Sequence, residues 1–174
     1  MSATRGNRAA VLVVFREGVH GREVLLMRRK ERDGDPWSGQ ISFPGGHAEP
    51  EDPSLLATAL REAREEVGLE ASELEGTPTL VGERSPGNLQ HLIVSVFVGH
   101  LRDGRPVTLA PGPEASEVHW VLVSELRTET RTVALPRRGI DLEVEGYAAG
   151  ELYIWGLTYR ILSDYLSRGR VGPD

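Results

Sequence analysis

Three glutamates stand close together at Glu62, Glu65 and Glu66, inside the run Arg61-Glu62-Ala63-Arg64-Glu65-Glu66-Val67-Gly68-Leu69. Ahead of them come Phe43-Pro44-Gly45-Gly46 and, after five intervening residues, Asp52. At about 100° per residue, Glu65 falls roughly 60° to one side of Glu62 and Glu66 about 40° to the other, so the three carboxylates share one arc of a helix. Leu56, Ala59, Leu60, Ala63 and Val67 take the neighbouring arc. Such a helix buries one flank and shows acids on the other. Acids three and four residues apart repel by roughly 0.2–0.5 kcal/mol per pair, and a hard divalent cation reverses that sign. Oxygen ligands with positions left to water and phosphate suit Mg²⁺. A glutamate-rich face alone is commonly only solvated; the glycine pair, the spacing and the whole run together point to metal-assisted chemistry on a diphosphate.

Positioning these groups requires a defined helix and the turn before it. Asp52 before Pro53 reads as an N-cap followed by a first helical residue, and Gly68 reads as a stop, which predicts a helix from about Pro53 to Val67. Gly45 and Gly46 allow positive φ and close approach of a ligand to the backbone, where a carbonyl or amide could reach metal or phosphate. The apolar runs Ala9–Phe15 and Glu23–Met27 read as buried strands, as do Thr79–Arg84, Leu92–Leu101 and Val118–Val123. Ser85-Pro86-Gly87-Asn88 reads as a turn and the stretch from Gly104 to Pro113 as a loop. Between Arg137 and Gly150, Ile140, Leu142 and Val144 alternate as in an exposed hairpin strand. Strands on either side of a glycine-opened helix predict a sheet covered by helices on both faces.

The box Gly46, Asp52 and Arg61–Leu69 resembles that of the Nudix hydrolases. Gly46 matches the first glycine and Arg61 to Leu69 the second half, apart from the small Ala63 at an apolar position. Asp52 stands where the family usually has Glu, and eight residues rather than seven separate it from Arg61. Both departures are similar to the coenzyme A pyrophosphatase branch. That branch also carries a pattern resembling Leu25-Leu26-Met27-Arg28-Arg29 followed by Gly39-Gln40-Ile41-Ser42-Phe43-Pro44-Gly45-Gly46. Here Met27 replaces the usual Thr, Lys30 a small residue, and Asp35 an expected Arg. Ile154-Trp155-Gly156-Leu157-Thr158 resembles the branch's C-terminal segment, taken here to open the last helix; Ile154, Leu157, Ile161, Leu162 and Tyr165 also fit a plain amphipathic helix.

The resemblance implies an α/β fold, the Nudix-type α/β/α sandwich with a mixed β-sheet, in one domain over residues 1–174. It implies Mg²⁺ or Mn²⁺ held by Glu62, Glu65, Glu66 and the Gly46 carbonyl, with Arg61 keeping a carboxylate in place. Arg28, Arg29 and Gly45 would contact a small-molecule substrate. The implied reaction splits coenzyme A or acyl-CoA into 4′-phosphopantetheine, or its acyl form, and adenosine 3′,5′-bisphosphate. ADP-ribose, NADH or another nucleoside diphosphate derivative is the alternative, because the box specifies the bond and not the attached groups. A nucleotide-sensing domain without catalysis is a third reading, opposed by the intact trio of glutamates. The general base is either a helix glutamate or a loop carboxylate near Glu114 and Glu117.

The rest of the composition narrows the field. At 174 residues and 39% hydrophobic residues the chain supports one core. A net charge of −6 argues against a nucleic-acid surface. The one basic run, Arg28-Arg29-Lys30 with Arg32, reads either as a solvated strand end or as a hold for an extra phosphate, which the planar Arg fork suits. No cysteine is present, so disulfide, zinc-thiolate and Cys-nucleophile chemistry are excluded. His20, His47, His91, His100 and His119 form no pair at metal-ligand spacing, although His47 adjoins the glycine turn. Ser42, Ser85 and Ser116 lack a nucleophile-elbow context. Val11 to Phe15 is too short for a signal-peptide core, and no segment approaches the roughly 20 apolar residues of a membrane span. A cytoplasmic enzyme is the expectation.

Overall fold

The computed structural model describes residues 7–35, 37–87, 89, 91–103, 107–135 and 139–168. Asn88, Gly104 and Arg137, which bound three of the expected irregular stretches, lie outside them. Strand β1 (Arg8–Gly18) is buried on both sides: Ala10, Leu12 and Val14 belong to one apolar cluster, Val13 and Phe15 to another. A strand apolar on both faces belongs inside a covered sheet. β1 runs parallel to β6 (Ile93–His100) and antiparallel to β2 (Gly21–Arg29). Beyond them lie β5 (Thr79–Arg84) against β6 and β7 (Ala115–Leu122) against β2, giving the mixed order β7-β2-β1-β6-β5.

β1 and β2 diverge past the pair Phe15–Val24, and the chain fills the widening gap with two short strands. β3 (Ile41–Ser42) pairs with β2, and β4 (Gly45–His47) with β1. A Cβ on Gly45 would overlap the Ala10 carbonyl oxygen and stand 2.7 Å from Val11 Cγ1. Neither Gly45 nor Gly46 has positive φ. The glycine pair is therefore required for close approach, and the left-handed conformation anticipated from the sequence is not used.

Helix α1 (Leu55–Val67) lays Ala59, Ala63 and Val67 on the cluster with Leu12, Val14 and Leu25. Its N-cap is Ser54, whose Oγ accepts from the Ala57 amide at 3.1 Å, and not Asp52; Pro53 also lies outside the helix. The Asp52 carboxylate is engaged elsewhere, and Ser54 is the next residue able to cap. Gly68 ends the helix at φ 74° as expected.

On the other face, α2 (Gly156–Arg168) contributes Ile161 and Leu162 to the cluster of Val13 and Phe15. A second, antiparallel sheet of β8 (Arg127–Leu135), β9 (Ile140–Ala149) and β10 (Leu152–Trp155) joins the same cluster through Ala149, Leu152 and Ile154. Ile154 and Trp155 end a strand and do not open the helix; Gly156, at φ 67°, turns the chain into it. The layers are α1, the mixed sheet, and α2 with the small sheet, the α/β/α arrangement anticipated. Among the described residues no helix is long and apolar enough to cross a membrane.

Candidate active site

Arg61 ties α1 to the segment that leads into it. Its Nε and Nη2 donate to the two oxygens of Asp52, each at 2.9 Å, a paired geometry that suits guanidinium and carboxylate. Nη2 also donates to the His47 carbonyl at 3.2 Å, and Nη1 donates at 3.2 Å to both Glu62 Oε1 and Glu65 Oε2. Asp52 Oδ2 further accepts from Thr58 Oγ1 and from the Glu49 amide, both at 2.9 Å. The Arg61 hydrogen bonds hold the Asp52 carboxyl well below the usual carboxylate range, and Asp52 in turn raises Arg61.

Glu66 is buried, at 2% exposure. The Gly45 amide donates to its Oε2 at 2.8 Å, while Oε1 is buried with no hydrogen-bond partner. Burial pushes the Glu66 carboxyl up to about 8, opposed by the Gly45 amide and Arg29 and reinforced by Glu62 and Glu114. Burial also raises Glu62, with Arg61 opposing. Gly46 lies against Glu62 so closely that a Cβ there would overlap its carboxylate. The glycine pair and two of the three glutamates thus form one pocket of oxygen donors.

Among the described residues, no three carboxylates or histidines converge on a single point as a ready metal cluster. Arg61 explains why: its Nη1 sits between Glu62 and Glu65 and serves as their counter-charge. The donor set nevertheless fits a hard divalent cation, since an orphaned carboxylate oxygen and two carboxyls held above their usual range by burial both gain from positive charge.

Arg28 and Arg29 are separated by the pleat of β2. Arg29 follows Met27 on the side facing α1, near enough to Glu66 to favour its charged form, and its Nη2 pairs with Asp35 at 3.0 Å. Arg28 shares the opposite side with Leu26, donating to Glu117 at 3.0 Å and to the Gly39 carbonyl at 3.2 Å. There it lines a cavity of about 410 Å³ with Glu117, His119 and the turn between β9 and β10. Glu117 is also bonded to His119 at 2.7 Å, and His119 and Arg28 together lower its carboxyl. Glu114 accepts from Arg32 at 3.3 Å, and its charge reaches both Glu62 and Glu66.

The contact that brings Glu114 there was not legible in the sequence. The Ala110 amide donates to the Val67 carbonyl at 3.1 Å and the Gly112 amide to the Glu66 carbonyl at 2.8 Å, satisfying the open end of α1. A Cβ on Gly112 would collide with the Glu65 carbonyl. Gly112, between Pro111 and Pro113, carried only a loop signal; what it packs against is set by the tertiary fold.

The NUDIX domain profile matches residues 6–141. The chain is 34% identical over 140 residues to the uncharacterized Nudix hydrolase NudL of Photorhabdus laumondii, covering 79% of this chain and 73% of that protein. Against Nudix hydrolase 22, chloroplastic, of Arabidopsis thaliana, identity is 33% over 170 residues, covering 91% of this chain but 54% of the plant protein, so the chain spans about half its length. The crystal structure of a MutT/nudix family protein from Enterococcus faecalis shares the fold, with a TM-score of 0.64 at 19% identity over 93% of this chain and 61% of that one. A profile covering most of the chain, and relatives at 33–34% identity over 79–91% of it, show that the chain belongs to the Nudix hydrolase family.

Proposed function

We propose that this chain hydrolyses the diphosphate of coenzyme A or an acyl-CoA, dependent on Mg²⁺ or Mn²⁺, to give 4′-phosphopantetheine, or its acyl form, and adenosine 3′,5′-bisphosphate. The observation that carries the hydrolytic reading is the buried, unpartnered Glu66 Oε1 beside the Gly45 amide and Glu62. Glu62, Glu65, Glu66 and the Gly46 carbonyl would hold the cation. When bound, it supplies activation of a water and neutralisation of charge developing on the phosphate oxygens. Arg61, fixed by Asp52, orients Glu62 and Glu65 and yields its place between them. Glu114, whose charge is felt by Glu62 and Glu66, would accept the proton of the attacking water after releasing Arg32, to which it is bonded at 3.3 Å; Glu117 is held by both Arg28 and His119. The water's oxygen bonds to one phosphorus, the bridging P–O bond breaks, and the departing phosphate leaves as the second product.

The coenzyme A assignment rests on the run from Gly39 to Gly46 and on Arg29 beside the carboxylates, where its guanidinium would meet the adenosine 3′-phosphate after releasing Asp35. Arg28, expected from the sequence to contact substrate, lines a cavity on the other side of β2 from the glutamates and so stays outside the proposed diphosphate site. The direct test is mass spectrometry of products from one tube containing the protein, Mg²⁺ and equal amounts of coenzyme A, ADP-ribose and NADH. Phosphopantetheine should appear first. Preferential cleavage of ADP-ribose or NADH would keep the hydrolase and discard the coenzyme A assignment, and ligand-induced melting shifts without turnover would favour a sensor. Arg29→Ala should raise the KM for coenzyme A more than for 3′-dephospho-coenzyme A; equal effects on both would remove Arg29 from phosphate recognition.

A further inference from the structure

Among the described residues, strand β8 is the free edge of the small sheet: in the order β10-β9-β8 its inner side pairs with β9 from Arg127 opposite Ala148 to Leu135 opposite Ile140, without a register shift. An edge strand shows a row of backbone donors and acceptors to solvent, and proteins usually blunt it with like charges, lysine above all, with proline or with a bulge. β8 reads Arg-Thr-Glu-Thr-Arg-Thr-Val-Ala-Leu, without proline, lysine or a bulge; its charges, Arg127, Glu129 and Arg131, alternate in sign, and its first four residues are all exposed. From these features we infer that β8 is the seam of a symmetric dimer, pairing antiparallel with β8 of a second copy of this chain.

Charge and paired length together select the register, since an axis through Thr128 would also oppose Arg127 and Glu129 but would pair β8 only over residues 127–129. Outward-facing amides recur every second residue, so a twofold axis must pass through a residue of the strand. An axis through Glu129 would set that residue against its own copy and Arg127 against Arg131 of the other chain. An axis through Arg131 would oppose two guanidiniums. Through Thr130, each Glu129 meets an Arg131, each Thr128 meets a Thr132, and Thr130 meets itself; opposite charges and threonine pairs are both favourable across strands. This register also pairs Arg127 through Val133 along their whole length, and the two small sheets become one of six strands. Its Glu129 and Arg131 already lie on one face, joined within the chain at 2.8 Å.

The experiment uses the absence of cysteine from the chain. Opposite residues of an antiparallel pair have Cα atoms about 4.5–5.5 Å apart, within disulfide reach, whereas residues displaced by four positions are roughly 13 Å apart. Thr130→Cys should therefore give a covalent dimer with oxidised glutathione, and Thr128→Cys should not. Sedimentation of the unmodified chain should show twice the 19.1 kDa chain mass. Glu129→Arg should return it to monomer, and Glu129→Arg combined with Arg131→Glu should restore the dimer. A monomer at every concentration, or cross-linking of Thr128→Cys as readily as Thr130→Cys, would overturn the proposal.

Discussion

With one oxygen bonded to the Gly45 amide and the other unpartnered, the Glu66 carboxyl is pushed up to about 8 by burial. An unfolded glutamate titrates near 4.5, so between these values the folded, metal-free protein binds the extra proton. Stability of the metal-free form should therefore fall as pH rises through that window. Metal binding has the opposite sign, because the ligand must be deprotonated. Affinity for Mn²⁺ should rise with pH up to about 8 and level off above it, with a proton released on binding at neutral pH. Calorimetric titration in two buffers of different ionisation enthalpy measures that proton; identical heats in both would contradict the assignment. Glu66→Gln keeps an acceptor for Gly45 and removes the charge. It should lower kcat/KM by more than about 100-fold while the melting temperature of the metal-free protein stays level or rises, and retained activity would remove Glu66 from the metal site.

At the scale of elements, the decisive joint is between α1 and the segment from His47 to Ser54, closed by the Arg61–Asp52 ion pair with Glu49 at 3.6 Å from the same guanidinium. Asp52 looked like a helix cap because Asp before Pro suits that role, and the helix could be read to within two residues without knowing otherwise. What the one-dimensional pattern lacked was the partner: Arg61 lies nine positions along the chain, and only the folded turn brings its fork onto Asp52. The carboxylate arc was legible because helical periodicity is local. The docking of Gly112 on the end of α1, and with it the position of Glu114, was not, because nothing in a Pro-Gly-Pro loop names its partner. Asp52→Asn tests the joint. Loss of the charged, two-point contact should cost about 2–3 kcal/mol at neutral pH and lower kcat as Glu62 and Glu65 lose their anchor. The Asp52 carboxyl sits below its unfolded value, so its stabilisation is complete above about pH 4 and is lost on acidification. Denaturant melts of the two proteins should then converge at low pH, and a gap that persists there would mean that the contact acts through packing alone.

For the molecule as a whole, the question is whether the small sheet is an accessory or part of one cooperative unit. Val13 and Phe15 of β1, Val24 and Leu26 of β2, Ile161 and Leu162 of α2 and Ile154 of β10 share one apolar cluster, so the strands after Leu126 and the final helix complete the face of the mixed sheet opposite α1. Without them that face would stand open along the centre of the sheet, and isolated β8–β9 ribbon is marginal on its own. A single transition is expected, with the calorimetric and van 't Hoff enthalpies equal. Ile154, at 0% exposure, is the side chain through which to test it. In a Trp37→Phe, Trp120→Phe background that leaves Trp155 as the one tryptophan, Ile154→Ala should destabilise by about 2–5 kcal/mol, moving the far-ultraviolet and tryptophan-fluorescence transitions together, with Trp155 reporting the small sheet and the backbone signal reporting the whole. If the fluorescence transition moved ahead of the backbone signal, the small sheet would be a separable unit docked on a core that stands without it.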